Sequence, residues 1–115
     1  MSGGVNICHF PDNWHIKDRL GEYKSNQQLW ESHSVIGLVE NLKPGQNITI
    51  DDGVNDIFIN ENNAMHEALL KKGIAHDYTV RPGEHTWSYW TNSLDFQILF
   101  FSKCFAKAAK AAKTK

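Results

Sequence analysis

The alternation of apolar and polar positions is clearest in the second half of the chain, where it predicts four elements. These are a strand at 47–51, a helix at 60–72, a strand at 76–80 and a helix from Thr86 or Trp87 to about Ala112. Strand, helix, strand, helix is the order of an α/β fold, in which neighbouring strands pair in parallel through right-handed crossovers. Residues 47–115 are therefore interpreted as the α/β part of the chain.

The first part of the chain, residues 1–46, is less regular and is interpreted as an irregular helical segment. Glycine, proline and asparagine interrupt its beginning, and residues 26–42 predict one or two short helices that end at Pro44-Gly45. Two parallel strands alone do not make a stable sheet, because such strands require burial on both faces and neighbours on both edges. We therefore expect an incomplete α/β domain.

Composition and charge exclude several classes of function. The 115 residues carry 12 Lys and Arg against 13 Asp and Glu, so no basic surface indicates nucleic acid or an acidic membrane. From its sequence we expect a soluble chain, with neither a signal peptide nor a transmembrane run in these residues. Cys8 and Cys104 form no CxxC pair, and their pairing stays open; the six histidines are scattered, so we expect no metal site and no cofactor.

Candidate chemistry follows each predicted strand. The turn after the first strand contains Asp56, and the loop after the second contains His85. Because ligands of open α/β sheets bind at the carboxyl ends of the strands, these two side chains should face each other. An acid followed by a histidine is the order that completes a Ser–acid–His triad in α/β-hydrolases. Asp56 would orient the base and His85 would be that base, with Asp52 as the main competitor for the acid.

Two segments carry a resemblance to a known family. The stretch from Asp52 to Phe58 (DGVNDIF) resembles the acid loop of the esterase D family of serine esterases, and the stretch from His76 to Trp90 (HDYTVRPGEHTWSYW) resembles its histidine loop. Residues 1–46 resemble more weakly its cap region between nucleophile and acid. The resemblance implies the C-terminal portion of an α/β-hydrolase fold, with hydrolysis of a small carboxylic ester through an acyl-enzyme and without a metal or organic cofactor.

The nucleophile of such an enzyme has no counterpart here. That residue lies in a Gly-x-Ser-x-Gly turn between a strand and a helix, and none of the seven serines has glycine at both positions. Ser2, in Ser2-Gly3-Gly4, is the nearest candidate, but no strand precedes it. We therefore expect this chain to supply the acid and the base of a triad and to be inactive by itself.

Three tryptophans are candidates for substrate binding. The resemblance puts Trp14 and Trp30 where the family builds its pocket, and Trp87 follows the candidate base. Each could equally be a core residue, because large aromatic side chains most often pack the interior.

A second hypothesis belongs to a different class. The chain could be a non-catalytic binding or oligomerisation domain derived from an esterase. In that case unpaired strand edges would allow self-association, or association with an N-terminal half. Such a domain would unfold cooperatively, and its function would tolerate loss of His85.

Overall fold

A computed structural model describes residues 3–113 of the chain. Its longer elements are strand β1 (Thr49–Gly53), helix α3 (Ile59–Lys71), strand β2 (Asp77–Arg81) and helix α4 (Trp87–Lys113). Before them lie helices α1 (Lys17–Leu20) and α2 (Gln27–Ser32), with 3-10 helices at Ile7–His9, Tyr23–Ser25 and Val35–Asn41. No helix within the described residues combines the length and apolar character needed to cross a membrane.

Strands β1 and β2 pair in parallel, with Thr49 opposite Asp77 and Gly53 opposite Arg81. The fold is thus α/β, as the alternation of strands and helices predicts. The first strand extends two residues beyond its predicted end, through an Asp-Gly pair that favours turns. Pairing with β2 and burial of the strand outweigh that local preference, since Asp52 is wholly buried.

The two helices cover opposite faces of this sheet, because successive side chains of a strand point to opposite sides. Ile50 of β1 faces α3 and packs in one apolar cluster. The other buried members of that cluster are Val39, Met65, Leu69 and Ile74. Val39 comes from the irregular first part of the chain, which therefore shares a core with the α/β part.

The opposite face of the sheet is covered by the beginning of α4. Tyr89 is 5% exposed there, and its hydroxyl donates a hydrogen bond of 2.5 Å to the Asp51 Oδ1 atom. Arg81, at the end of β2, donates to the other carboxylate oxygen of Asp51 and lies 4.1 Å from the ring centre of Phe96. Polar contacts, rather than a large apolar cluster, hold this helix to the sheet.

Candidate active site

The acid loop begins where β1 ends. Asp56 is brought back toward the strand by its backbone N–H, which donates to the Gly53 carbonyl at 3.0 Å. Its carboxylate Oδ1 accepts from the Phe58 N–H at 2.9 Å, at the start of α3. The Asp56 side chain is 0% exposed. Local backbone bonds therefore hold a buried carboxylate at the carboxyl end of the sheet.

His85 follows β2 and lies against this carboxylate. Its Nδ1 atom is 3.1 Å from Asp56 Oδ1 and 3.0 Å from Oδ2, and its side chain is 30% exposed. An ionised carboxylate only accepts hydrogen bonds, so Nδ1 carries the proton in this pair and Nε2 is the basic nitrogen. The structure thus brings together the two residues for which the sequence predicts an acid–base role.

Two backbone hydrogen bonds join the loop that carries Asp56 to the loop that carries His85. The Val54 N–H donates to the Arg81 carbonyl and the Asn55 N–H to the Gly83 carbonyl, both at 2.9 Å. Glycine permits this approach, since a Cβ atom on Gly53 would lie 2.5 Å from the Gly83 oxygen. Gly83 also has a φ of +150°, which side-chain-bearing residues rarely adopt. The distance between acid and base is therefore set by the backbone of both loops.

Two aromatic rings contact the base. Phe58 and Trp90 each make an edge-to-face contact with the His85 ring, with ring centres 5.1 Å and 4.7 Å away. Trp14 packs on Phe58 at 5.6 Å, and Trp87 packs on Trp90 at 5.0 Å. Trp14 is 54% and Trp87 79% exposed. Each of the two aromatic contacts of His85 therefore continues to an exposed tryptophan.

The backbone that presents Trp14 is unusual. Trp14 and His15 have φ values of 52° and 55°, a left-handed conformation that non-glycine residues seldom adopt in succession. Each such residue costs on the order of 1 kcal/mol, so packing must hold it there. Contacts of Trp14 with Phe10 and Phe58 provide that packing.

Trp30 lies elsewhere, in the interior of the first part of the chain. It is 0% exposed, its indole N–H donates to the Gly21 carbonyl at 3.0 Å, and its ring packs edge-to-face on Tyr23. A substrate does not reach a surface that is wholly buried. Trp30 therefore has the core position that the sequence left open as its alternative.

Asp52, the competing acid, is also wholly buried. Its Oδ1 accepts from the Gly53 N–H at 2.9 Å, whereas its Oδ2 has no hydrogen-bond partner among the described residues. Burial, and after it the negative charge of Asp56, raise the pKa of Asp52 to about 6. Of the two carboxylates, Asp56 is the one hydrogen-bonded to the base.

The polar network of Asp51, Arg81 and Tyr89 was missed by sequence reasoning. Burial favours a higher pKa for Asp51, but the hydrogen bonds from Tyr89 and Arg81 outweigh it and hold that pKa below its ordinary value. Burial and the bond to Asp51 raise the pKa of Tyr89. Strand alternation places Asp51 opposite Asp52, and an arginine at the end of the next strand was the signal that could have found its partner.

The other candidates for catalysis are metal-binding clusters and serine hydroxyls. No cluster of three or more His, Cys, Asp or Glu side chains suited to a metal ion occurs within residues 3–113. The hydroxyls of Ser32, Ser34 and Ser102 donate to backbone carbonyls three or four residues earlier in the chain. Ser2, the weak candidate for the nucleophile, lies outside the described residues.

Comparison with known proteins gives a match in structure but none in sequence. No protein-family model matches this chain, and no curated protein matches it in sequence. Among solved structures the chain is similar to a ferulic acid esterase, with a TM-score of 0.57 and 20% identity over 83% of this chain. The match spans 38% of the length of that esterase. The chain therefore has an esterase-like fold that corresponds to part of a larger structure.

Proposed function

We propose that this chain is the acid–base portion of a serine carboxylic-ester hydrolase of the esterase D type, with Asp56 as the acid and His85 as the base. The contact of 3.0 Å between His85 Nδ1 and a buried Asp56 oxygen carries the proposal. It lies at the carboxyl ends of two parallel strands, where α/β enzymes bind their substrates. The similarity of fold to a ferulic acid esterase supports it.

In the proposed reaction His85 moves protons while Asp56 keeps it in the correct tautomer. Nε2 takes the proton of a serine hydroxyl as its oxygen attacks the ester carbonyl, and the imidazolium that forms is stabilised by the Asp56 carboxylate. His85 then gives this proton to the leaving alcohol, which departs and leaves an acyl-enzyme. Water, deprotonated by the same nitrogen, releases the carboxylic acid and restores the serine.

The nucleophile and the oxyanion hole are proposed to come from a segment outside this sequence. No serine of the chain lies in a Gly-x-Ser-x-Gly turn, and one of the oxyanion donors of such enzymes follows that serine. Without these groups, transition-state charge is not stabilised. The chain would act as one part of an incomplete α/β-hydrolase domain.

The proposed substrate is a carboxylic ester with a planar, apolar acyl group. Trp14 and Trp87 are exposed indoles that are connected to His85 through Phe58 and Trp90. Flat aromatic faces bind planar groups by stacking and by burial of apolar area. The name of the similar esterase, which refers to an aromatic acid, agrees with this substrate class.

The tautomer of His85 tests the acid–base pair without requiring catalysis. In ¹⁵N spectra of the neutral imidazoles, His85 should carry its proton on Nδ1, because the Asp56 carboxylate can only accept. Asp56→Asn should shift the proton toward Nε2, since an amide can donate to Nδ1. Asp52→Asn is the matched control and should leave the tautomer unchanged. A neutral His85 protonated on Nε2 in the native chain would contradict the assignment.

Ester hydrolysis over many turnovers tests the proposal that the chain lacks the nucleophile. We expect neither the purified chain nor its His85→Ala variant to hydrolyse a short-chain nitrophenyl ester above the uncatalysed rate over many turnovers. Joined to a segment that supplies the Gly-x-Ser-x-Gly turn, the chain should become active, and His85→Ala should then lower kcat by roughly 10⁴-fold or more. Sustained turnover by the chain alone that depends on His85 would show that the nucleophile is within it.

A further inference from the structure

An apolar strip runs along the side of α4 that faces away from the sheet. It consists of Leu94, Ile98, Phe101 and Phe105, which are 46%, 58%, 39% and 70% exposed and are here called the α4 seam. These residues line a shallow groove of about 390 Å³ together with Gln97 and Ser102. Four large apolar side chains in one exposed line are uncommon on the surface of a monomer.

The spacing of the α4 seam is that of a helix that pairs with another helix. Its members are separated by four, three and four residues, and the same alternation continues through Ala108 and Ala112. A repeat of 3.5 residues keeps apolar side chains on one line along a helix and lets them interlock with those of a partner. The pattern extends over nearly three heptads of α4.

The opposite side of the helix behaves differently. Next to the sheet it carries Tyr89, Ser93 and Phe100, which are buried or half-buried. Phe96 lies on the same line and is 51% exposed, but its ring is in contact with Arg81. Toward the C-terminal end of α4 the same line continues as Lys103, Lys107 and Lys110, all exposed. The line that faces the protein body thus becomes charged toward the end of the helix, whereas the α4 seam remains apolar at Phe105.

The positions that flank the α4 seam carry little charge. They are Asp95, Gln97, Ser102, Cys104, Ala109 and Ala111. Two identical seams would therefore meet with one carboxylate each at their margins, while the lysines lie on the far side of each helix. Charge would neither repel a second copy nor select an oppositely charged partner.

From this surface we infer that two copies of the chain associate through their α4 seams, related by a two-fold axis. A line of apolar side chains is self-complementary, as an interface between identical subunits requires. Its four large side chains expose roughly 400 Å² of apolar surface in each chain. With their polar flanks, two copies bury on the order of 1,000 Å², the lower bound for a specific interface.

A membrane surface fits the same helix less well. Amphipathic helices that lie on membranes place lysines along both borders of the apolar face. In α4 the lysines are confined to the last part of the helix and lie opposite the seam, and Leu94 is followed directly by Asp95. A second copy presents the same line of apolar side chains and can cover the whole length of the α4 seam.

Sedimentation velocity over protein concentrations from about 1 to 200 μM tests the dimer. We expect a monomer–dimer equilibrium with a dissociation constant on the order of 10 μM, in keeping with a small interface. Ile98→Asp and Phe105→Asp should each weaken it at least about tenfold, because each puts a charge in the seam. Both positions are exposed in the monomer, so helix content by circular dichroism should be unchanged.

Ala106→Asp is the matched control, because it adds the same charge in the same turn but outside the seam. It should leave the dimer intact. The inference is overturned if the native chain remains a monomer throughout, whether or not it binds vesicles of anionic phospholipid. It is equally overturned if the dimer survives both seam variants, which would place the contact elsewhere, for example at a strand edge.

Discussion

The two faces of the small sheet are held by different kinds of interaction. On the α3 face, Ile50, Met65 and Leu69 join Val39 in an apolar core that includes the first part of the chain. On the α4 face, the central contact is a buried carboxylate shared by Tyr89 and an arginine. Apolar burial tolerates changes of pH, whereas a charged network does not. One strand therefore separates a face held mainly by apolar packing from a face held mainly by charge.

The largest expected effect lies on the apolar face. Leu69→Ala should lower the free energy of unfolding by about 3 kcal/mol, because Leu69 is 0% exposed and the lost side chain leaves a cavity. The adjacent Leu70 is 55% exposed, so Leu70→Ala should cost less than about 0.5 kcal/mol. Urea denaturation of both variants gives the comparison. Equal losses would mean that the α3 face is not the core of the molecule.

On the polar face, Asp51→Asn should lower the free energy of unfolding by about 2 kcal/mol near neutral pH, since it leaves the Arg81 charge without its partner. The folded-state pKa of Asp51 is lowered. The stability that the Asp51 carboxylate gives to the folded chain is therefore present above the unfolded pKa near 3.8. It is lost as the pH falls through the lower pKa of the folded state. Urea titrations across the acid range should show the native chain and the variant converging. A constant difference at all pH values would exclude the charge as its cause.

The adjacent residue should show the opposite sign. Asp52 has a folded-state pKa of about 6, above its ordinary 3.8, so its ionisation opposes folding as pH rises through this interval. Asp52→Asn should therefore stabilise the chain by about 2 kcal/mol near pH 8. It should have little effect below the ordinary pKa, where Asp52 is protonated in both states. Thermal unfolding at the two pH values measures this, and a loss of stability near pH 8 would contradict it.

Sequence reasoning predicted the second half of the fold well for a physical reason. Apolar periodicity marks the strands and helices from β1 onward, and Gly73 and Pro82-Gly83 mark their ends, so each boundary is within two residues of its prediction. The loops that follow the strands bring Asp56 and His85 together. Their catalytic role remains a prediction.

The first part of the fold, the pairing of Asp51 and the exposure of α4 depend on tertiary contacts that leave no pattern in the sequence. The short 3-10 helices of the first part are held by tertiary packing, as Val39 and Ile36 illustrate, and they have no periodicity of their own. Pairing of Asp51 with Tyr89 joins residues 38 positions apart. In the sequence the α4 seam is indistinguishable from a buried apolar stripe, and only the structure shows that its side chains are exposed.

The contact between Trp90 and His85 gives the molecule an optical consequence. With ring centres 4.7 Å apart, the indole lies against the imidazole edge-on. A protonated imidazole is a cation, and a cation this close to an indole interacts with its π system. The intrinsic fluorescence of Trp90 should therefore change when His85 gains a proton, which would give the chain an internal optical signal of the charge on that histidine.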